Sequence, residues 1–565
     1  MLDSPLPLRD YCLTCIRDAV VDVEVRDKGS IGGSAADRPG LHHSTTSSTS
    51  SLSDDTSPNV RHHVKVHHPV HQQQQAPHRT DRSCSQSSLP ACPTSRSSSS
   101  GSIFDELSSY PDEDLMSVSV SRFLSRSNVL SASHLISNIS EALLTSLSEE
   151  GRISDNILTT IFHPDNCRLE SVRIPDASHL TKKGLRVLRG HKIRHLEVIS
   201  LQKTTINELI GCLGDYTLHN IYHLSVRRSF FTSSAHFCVV VGLAKLRNLK
   251  HLDVSHTDIN HHGLEIIVED LPNLLSLNIS STRVRDLQPL RKCKHRLRHL
   301  SMYNLRPGTP GDHPRLVPDF NSVLLELNLL VKLDVSDDRD SPVDVLNRGS
   351  HSVGPILKRP DLLPDLRYLD ISGKDGIELE DLKKFVSFKH GLGEDHCLTF
   401  LGLMQTDLCA NDAFIAENNT GYKEYSELTV TGFATEQQIL NSLRIYAERP
   451  AYIQKSLCYL YNYTINDMSD PRIDMIDIIL PVMRKHAKVI GIQMAATACL
   501  YNLTKGKIAD KIHPKWLAKV VNATLLAMET FPNHQQLQKN TLLTLCSDRI
   551  LQEVVSTSIQ VQTDH

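Results

Sequence analysis

The sequence predicts two solenoids in series: an α/β leucine-rich repeat array followed by an all-α armadillo/HEAT-like array, with a long disordered insert near the N-terminus. Three observations carry this. One apolar hexad recurs nine times between Leu169 and Leu403, a helical pattern with a period of 40 follows Glu427, and residues 28–102 contain no Phe, Trp or Tyr.

The chain has 565 residues, with 61 Lys+Arg against 64 Asp+Glu and a formal charge of −3. That balance excludes a globally basic nucleic-acid binder, which needs clustered cations facing phosphates. No run of apolar residues is long enough to span a bilayer. The start, MLDSPLPLRDYC, lacks the basic and apolar regions of a secretory signal. Thirteen irregularly spaced cysteines argue against a disulfide framework and for a reducing compartment. The expected location is the cytoplasm, the nucleus or both.

Residues 1–27 contain one short amphipathic element. Leu8, Cys12 and Ile16 fall at i, i+4 and i+8 and share one stripe of a helix opened by Pro7, with Asp3 or Ser4 nearby as a cap. Small Cys12 between larger groups leaves a notch for a partner groove. The same stripe can instead pack on the chain's own solenoid. Cys12 and Cys15 form a CxxC pair, but no second pair or nearby histidine completes a metal site.

Residues 28–102 hold 19 serines and 8 histidines in 75 positions, and only eight Leu, Ile or Val. So little apolar surface does not offset the entropy of ordering a backbone, so the segment is expected to be disordered. Its run RHHVKVHHPVHQQQQ (61–75) is taken as a solvated tract. Residues 103–165 are expected to form a helical linker or cap.

Leucine-rich repeats are expected over 166–427. The nine copies are LESVRI (169–174), IRHLEV (193–198), IYHLSV (221–226), LKHLDV (249–254), LLSLNI (274–279), LRHLSM (297–302), LVKLDV (330–335), LRYLDI (366–371) and LTFLGL (398–403). Their middle residues are spaced by 24, 28, 28, 25, 23, 33, 36 and 32. The longer intervals need inserted loops, visible at 306–315 and 339–355. Each strand is half-buried, and stacking copies in parallel builds a continuous core. His195, His223, His251 and His299 all directly precede a strand leucine, a recurring slot taken as a structural feature of the repeat.

Armadillo-like repeats are expected over 428–565, as an incomplete array. QKSLCYLYNYT (454–464) and MAATACLYNLT (494–504) align at Leu460/Leu500, Asn462/Asn502 and Thr464/Thr504, and LQKNTLLTLCSD (537–548) follows about one period later. Tyr459, Tyr461 and Tyr501 are expected in the core. No phosphate loop, dinucleotide fingerprint, HExxH or nucleophile elbow occurs, so no enzymatic activity, cofactor or metal is expected.

The stripe Leu8-x-x-x-Cys12-x-x-x-Ile16 resembles the elongin-binding box of cullin-RING substrate receptors. A box, a leucine-rich array and armadillo-like repeats, in that order, resemble the layout of the Zyg-eleven/Zer-one family. The segments 199–231, 249–259 and 537–552 are also similar to that family's repeats. The resemblance implies a non-catalytic substrate receptor of a cullin-2 RING ubiquitin ligase. Leu8, Cys12 and Ile16 would dock elongin C of the elongin B/C pair, and the solenoid would hold a protein target. Neither nucleic acid nor membrane is an expected partner.

Family members capture proteins with an N-terminal glycine in an armadillo pocket near a tryptophan-bearing stretch. The nearest forms here are YNYTIND (461–467) and YNLTKGK (501–507), and the only tryptophan is Trp516. The C-terminal armadillo repeats that carry the pocket are expected to be missing. Glycine-led peptides are therefore expected to bind poorly, with the leucine-rich concave face as the other capture surface. A cullin-selecting motif has its nearest form at Tyr110-Pro111 with Leu115. The alternative from another class is a repeat scaffold with no ubiquitin link, its N-terminal helix capping the first leucine-rich repeat.

Overall fold

The computed structural model describes residues 137–231, 240, 242–305, 320–339, 352–414, 428–465 and 470–552. These all belong to one compact unit; a second, 18–125, lies outside the described residues. The Leu8/Cys12/Ile16 stripe, the 28–102 insert, Tyr110-Pro111 with Leu115, the 306–315 loop and most of the 339–355 loop also lie outside them.

Ten short parallel strands form one sheet in sequence order. They are β1 Ser171–Ile174, β2 His195–Val198, β3 His223–Ser225, β4 His251–Asp253, β5 Ser276–Asn278, β6 His299–Ser301, β7 Lys332–Asp334, β8 Tyr368–Asp370, β9 Phe400–Gly402 and β10 Thr429–Thr431. Every hexad supplies one of β1–β9. Their middle residues, from Val172 through Leu196 and Leu224 to Leu401, pair in register and are no more than 2% exposed. Each such side chain taken from water stabilises the fold by about 1.5–3 kcal/mol. The neighbouring strand residues point to the opposite, open face.

The count of nine was one strand short. In β10 the middle residue is Val430, but the flanking hexad positions are Glu427 and Gly432, so the apolar pattern fails. Gly432 is there for space: a Cβ would lie 2.5 Å from the Cys409 carbonyl oxygen.

Four residues after seven of the ten middle residues, the chain passes through left-handed backbone, at Ser200, Arg228, His256, Ser281, Asn304, Gly373 and Gln405. Side chains other than glycine resist this conformation. In the first three, the amide of the strained residue donates to the next turn, as Ser200 to Arg227 O at 2.9 Å, Arg228 to Ser255 O at 3.1 Å and His256 to Ser280 O at 2.8 Å. The ladder therefore continues past the strands and offsets the strain repeat by repeat. At Gly373 glycine is obligatory, because a Cβ would sit 1.9 Å from the Asp337 carbonyl.

Both edges of the sheet are covered. Helix α1 (Ser137–Glu149) buries Leu143, Leu144 and Leu147 completely. Its Glu141 Oε1 accepts the Glu170 and Ser171 amides, both at 2.9 Å, at the edge of β1. Helix α2 (Asp155–Thr160) follows, capped by Ser154. At the far edge, α3 (Glu436–Ile445) packs on β10, where Ser442 Oγ accepts the Gly432 amide at 3.2 Å. Covering edges in this way blocks adventitious strand pairing.

Three helix pairs make up the second array: α3 with α4 (Pro450–Thr464), α5 (Ile473–Lys485) with α6 (Ile490–Thr504), and α7 (Pro514–Thr530) with α8 (Gln535–Leu545). The repeated sequence positions have repeated jobs. Gln493 Nε2 donates to the Met483 and His486 carbonyls, and Gln538 Nε2 to those of Met528 and Phe531, closing equivalent interhelix turns. Buried Asn502 reaches back to Thr464 Oγ1 at 3.2 Å, bridging two repeats. Tyr459 stacks on Phe433 at 3.8 Å as a packing group. Tyr461 does not: it is 38% exposed, because its position on α4 faces away from the neighbouring repeat. No described helix is long and apolar enough to cross a membrane.

Candidate functional site

The sheet's open face is built from two columns of side chains flanking the buried leucines. In the first column His195, His223 and His251 are register neighbours on β2, β3 and β4. The His195 and His223 rings stack at 4.0 Å between centroids, nearly parallel at 8°, and His251 lies tilted at 5.9 Å from His223. Further along, Tyr368 and Phe400 stack at 4.0 Å, with Lys332 Nζ 4.3 Å above the tyrosine ring.

Glu197 in the second column faces the first two histidines. Its Oε1 lies 3.1 Å from His195 Nε2 and 3.6 Å from His223 Nε2, while Oε2 is 3.4 Å from Arg173 Nε. The hydrogen bond from His195, against the opposing effect of burial, holds this carboxyl below its ordinary value. Burial pushes His223 down to about 4, helped by the neighbouring His195. Burial also lowers His251 and His299. The recurring histidine slot is thus structural in origin, but at β2 and β3 it gathers a carboxylate as well.

A second cluster joins the two arrays. The turn between α3 and α4 places Arg449 against the second column at β7 and β8. Its Nη2 donates to Asp334 Oδ2 at 2.5 Å, and its Nη1 to Asp370 Oδ2 at 3.2 Å and Ser336 Oγ at 2.8 Å. The guanidinium carbon is 4.1 Å from the Tyr303 ring centre, 4.9 Å from Tyr446 and 5.7 Å from Tyr452. Tyr446 O–H meets Ser372 Oγ and Thr431 Oγ1 at 3.0 and 3.1 Å, and Tyr452 O–H donates to the Asp337 carbonyl at 2.6 Å.

Charge and burial oppose each other here. Burial, with Asp334 alongside, pushes the Asp370 carboxyl up to about 6, although Arg449 favours its anion. Burial disfavours the Arg449 cation, yet Asp334 and Asp370 together raise it well above its ordinary value. Adjacent Glu448 reaches the other way, pairing with Lys485 and lying 3.6 Å from Arg228 Nη2 and 3.9 Å from Arg227 Nη1. Burial opposes the charge of Glu448, but Lys485 and the two arginines keep its carboxyl below the ordinary value. Residues 446–449 therefore clamp the helical array onto the sheet.

This fold can be compared with known proteins. The family described as "Protein zer-1 homolog-like, C-terminal domain" matches residues 481–563. The "Protein zer-1 homolog" of Homo sapiens is 25% identical over 427 residues, covering 72% of this chain and 50% of that protein. That of Drosophila melanogaster is 25% identical over 310 residues, covering 54% of this chain and 35% of the protein. The chain is similar to the Zyg-eleven/Zer-one family.

The chain is also similar to "Zyg eleven-related protein 1" of Caenorhabditis elegans, 23% identical over 165 residues, which cover 27% of this chain and 18% of that protein. The chain spans about half the length of the curated human relative. Among solved structures, an internalin (inlF) of Listeria monocytogenes is similar at 15% identity with a TM-score of 0.29, covering 52% of this chain and 77% of that one.

The sequence-derived stripe Leu8, Cys12 and Ile16 lies outside the described residues. Of the segments nearest the family's pocket, Tyr461 and Tyr463 are exposed, whereas Thr464 and Asn502 are buried between repeats. Trp516 packs on the helical core beneath Lys519. Sequence reasoning missed Arg449 altogether. Its partners lie 79 and 115 residues away, and the only available signal was the aspartate shared by LVKLDV and LRYLDI.

Proposed function

We propose that this chain is the non-catalytic substrate-recognition subunit of a cullin-2/elongin RING ubiquitin ligase, acting in the cytoplasm or nucleus. Elongin C, with elongin B, docks on Leu8, Cys12 and Ile16, and the repeat arrays hold the protein target, in the family one with an N-terminal glycine. Another subunit carries the ubiquitin chemistry. Similarity to the zer-1 homologs, together with the C-terminal domain match at residues 481–563, is the observation that carries this reading.

One feature of the fold favours it over a scaffold with no ubiquitin link. The scaffold reading gave the N-terminal stripe the task of capping the first leucine-rich repeat, since terminal repeats need a cap. Helix α1 already takes the β1 edge through Glu141 and buries three leucines there. A capped β1 edge supports a partner-docking role for the stripe.

Co-expression with elongins B and C tests the proposal. Leu8→Ser with Cys12→Phe removes apolar burial from a small interface and fills its notch, which abolishes elongin C co-purification while thermal melting stays unchanged. Normal elongin C recovery with the double variant refutes the assignment of the box. A chain beginning at Ile103 keeps α1 and is expected to stay soluble; its aggregation would return the stripe to a capping role.

A further inference from the structure

We propose that His195, Glu197 and His223 form a binding site for a divalent transition-metal ion, zinc by chemical class, on the open face of the leucine-rich sheet. The three ligand atoms lie within 4.8 Å of one another. Around a tetrahedral ion with bonds of about 2.0–2.1 Å, ligand atoms sit roughly 3.4 Å apart. The two separations from Glu197 Oε1, 3.1 Å to His195 Nε2 and 3.6 Å to His223 Nε2, bracket that spacing.

Three further features fit an ion. The buried His223 Nε2 has no hydrogen-bond partner, and Glu197 Oε1 lies 3.6 Å from it, just beyond hydrogen-bond distance. Arg173 holds Glu197 Oε2 at 3.4 Å, which orients the carboxylate so that Oε1 alone points at the imidazoles, the usual task of an outer partner at a metal site. Finally, the histidines sit on paired strands in register, β2 with β3, so the backbone fixes their separation. On binding, the ion takes the place of the proton shared by His195 and Glu197.

Two imidazoles and one carboxylate select zinc and its transition-metal neighbours over calcium or magnesium, which prefer oxygen ligands. Three protein ligands leave a fourth position for water or for a donor side chain from a protein lying along the face. Slots with the same histidine but no carboxylate facing it, such as His299 on β6, lack the third ligand.

The full chain offers a competing sink in the histidines of 61–75, so the test begins by replacing His62, His63, His67, His68 and His71 with Gln. That background chain, stripped with chelator, is titrated with zinc against a chromophoric indicator and separately with cobalt(II). The expected result is one zinc equivalent, with intense cobalt absorption of a tetrahedral site. His223→Ala and Glu197→Gln each weaken zinc at least about tenfold and abolish the cobalt bands, as loss of a ligand or of its orientation does. His299→Ala leaves both unchanged. Thermal melting shows that each variant is folded, and Glu197→Gln, nearly isosteric, serves if His223→Ala is not. The proposal is overturned if the background chain takes up no zinc, if cobalt gives only weak octahedral bands, or if Glu197→Gln binds like its parent.

Discussion

Replacing Arg449 with Met gives the most direct test of how the two arrays are joined. Asp334 and Asp370 have side chains only 4% and 0% exposed, and Arg449 is the cation placed between them. Removing one partner of a buried ion pair costs about 3–5 kcal/mol, because the remaining charge stays desolvated. Loss of the contact with the Tyr303 face adds about 0.5–2 kcal/mol. Even near the low end of these ranges, a total of about 4 kcal/mol corresponds to roughly a thousandfold rise in opening, since each 1.4 kcal/mol is tenfold. Hydrogen exchange of the full chain reads this locally: amides of α3 and α4 should lose about three decades of protection while β2–β5 change little. Adding Asp334→Asn and Asp370→Asn removes the stranded charges and should restore at least half of the loss. A decrease below tenfold for Arg449→Met, or no recovery in the triple variant, refutes the clamp as an electrostatic device.

Other outcomes follow from single positions. Because burial raises Asp370 to about 6 from an ordinary 3.8, the folded chain holds a proton between those values that the unfolded chain has lost. Stability from this group therefore falls as pH rises from 4 to 6. The stability of the natural chain relative to Asp370→Asn, measured by urea unfolding, should decline across that window; a flat difference refutes the assignment. Gly373→Ala combines a φ of 75° with a Cβ 1.9 Å from a carbonyl oxygen and should cost at least about 2 kcal/mol in thermal melting. Gly391→Ala, with nothing within 4 Å at the end of a helix, should stay within about 0.5 kcal/mol of the parent.

The sequence by itself determined the repeat architecture. Each hexad encodes a strand through local periodicity, so β1–β9 were legible at residue resolution, and the 40-residue spacing gave the helix pairs because equivalent side chains do equivalent jobs. β10 escaped because Gly432 answers to a carbonyl brought near by folding and not to the hexad. The elongin-docking role proposed for Leu8, Cys12 and Ile16 rests on the sequence pattern alone.

The tertiary structure alone decided what the repeats assemble. Histidines 28 residues apart become stacked neighbours only when parallel strands pair in register, and Glu197, the next outward residue on β2, then reaches both of them. Arg449 meets Asp334 and Asp370 only because α3 seats on β10 and swings its following turn back across the sheet. Such contacts join residues far apart in the chain, and no local pattern announces them. Their energy comes from burial and desolvation, which exist only once the two arrays have closed on each other.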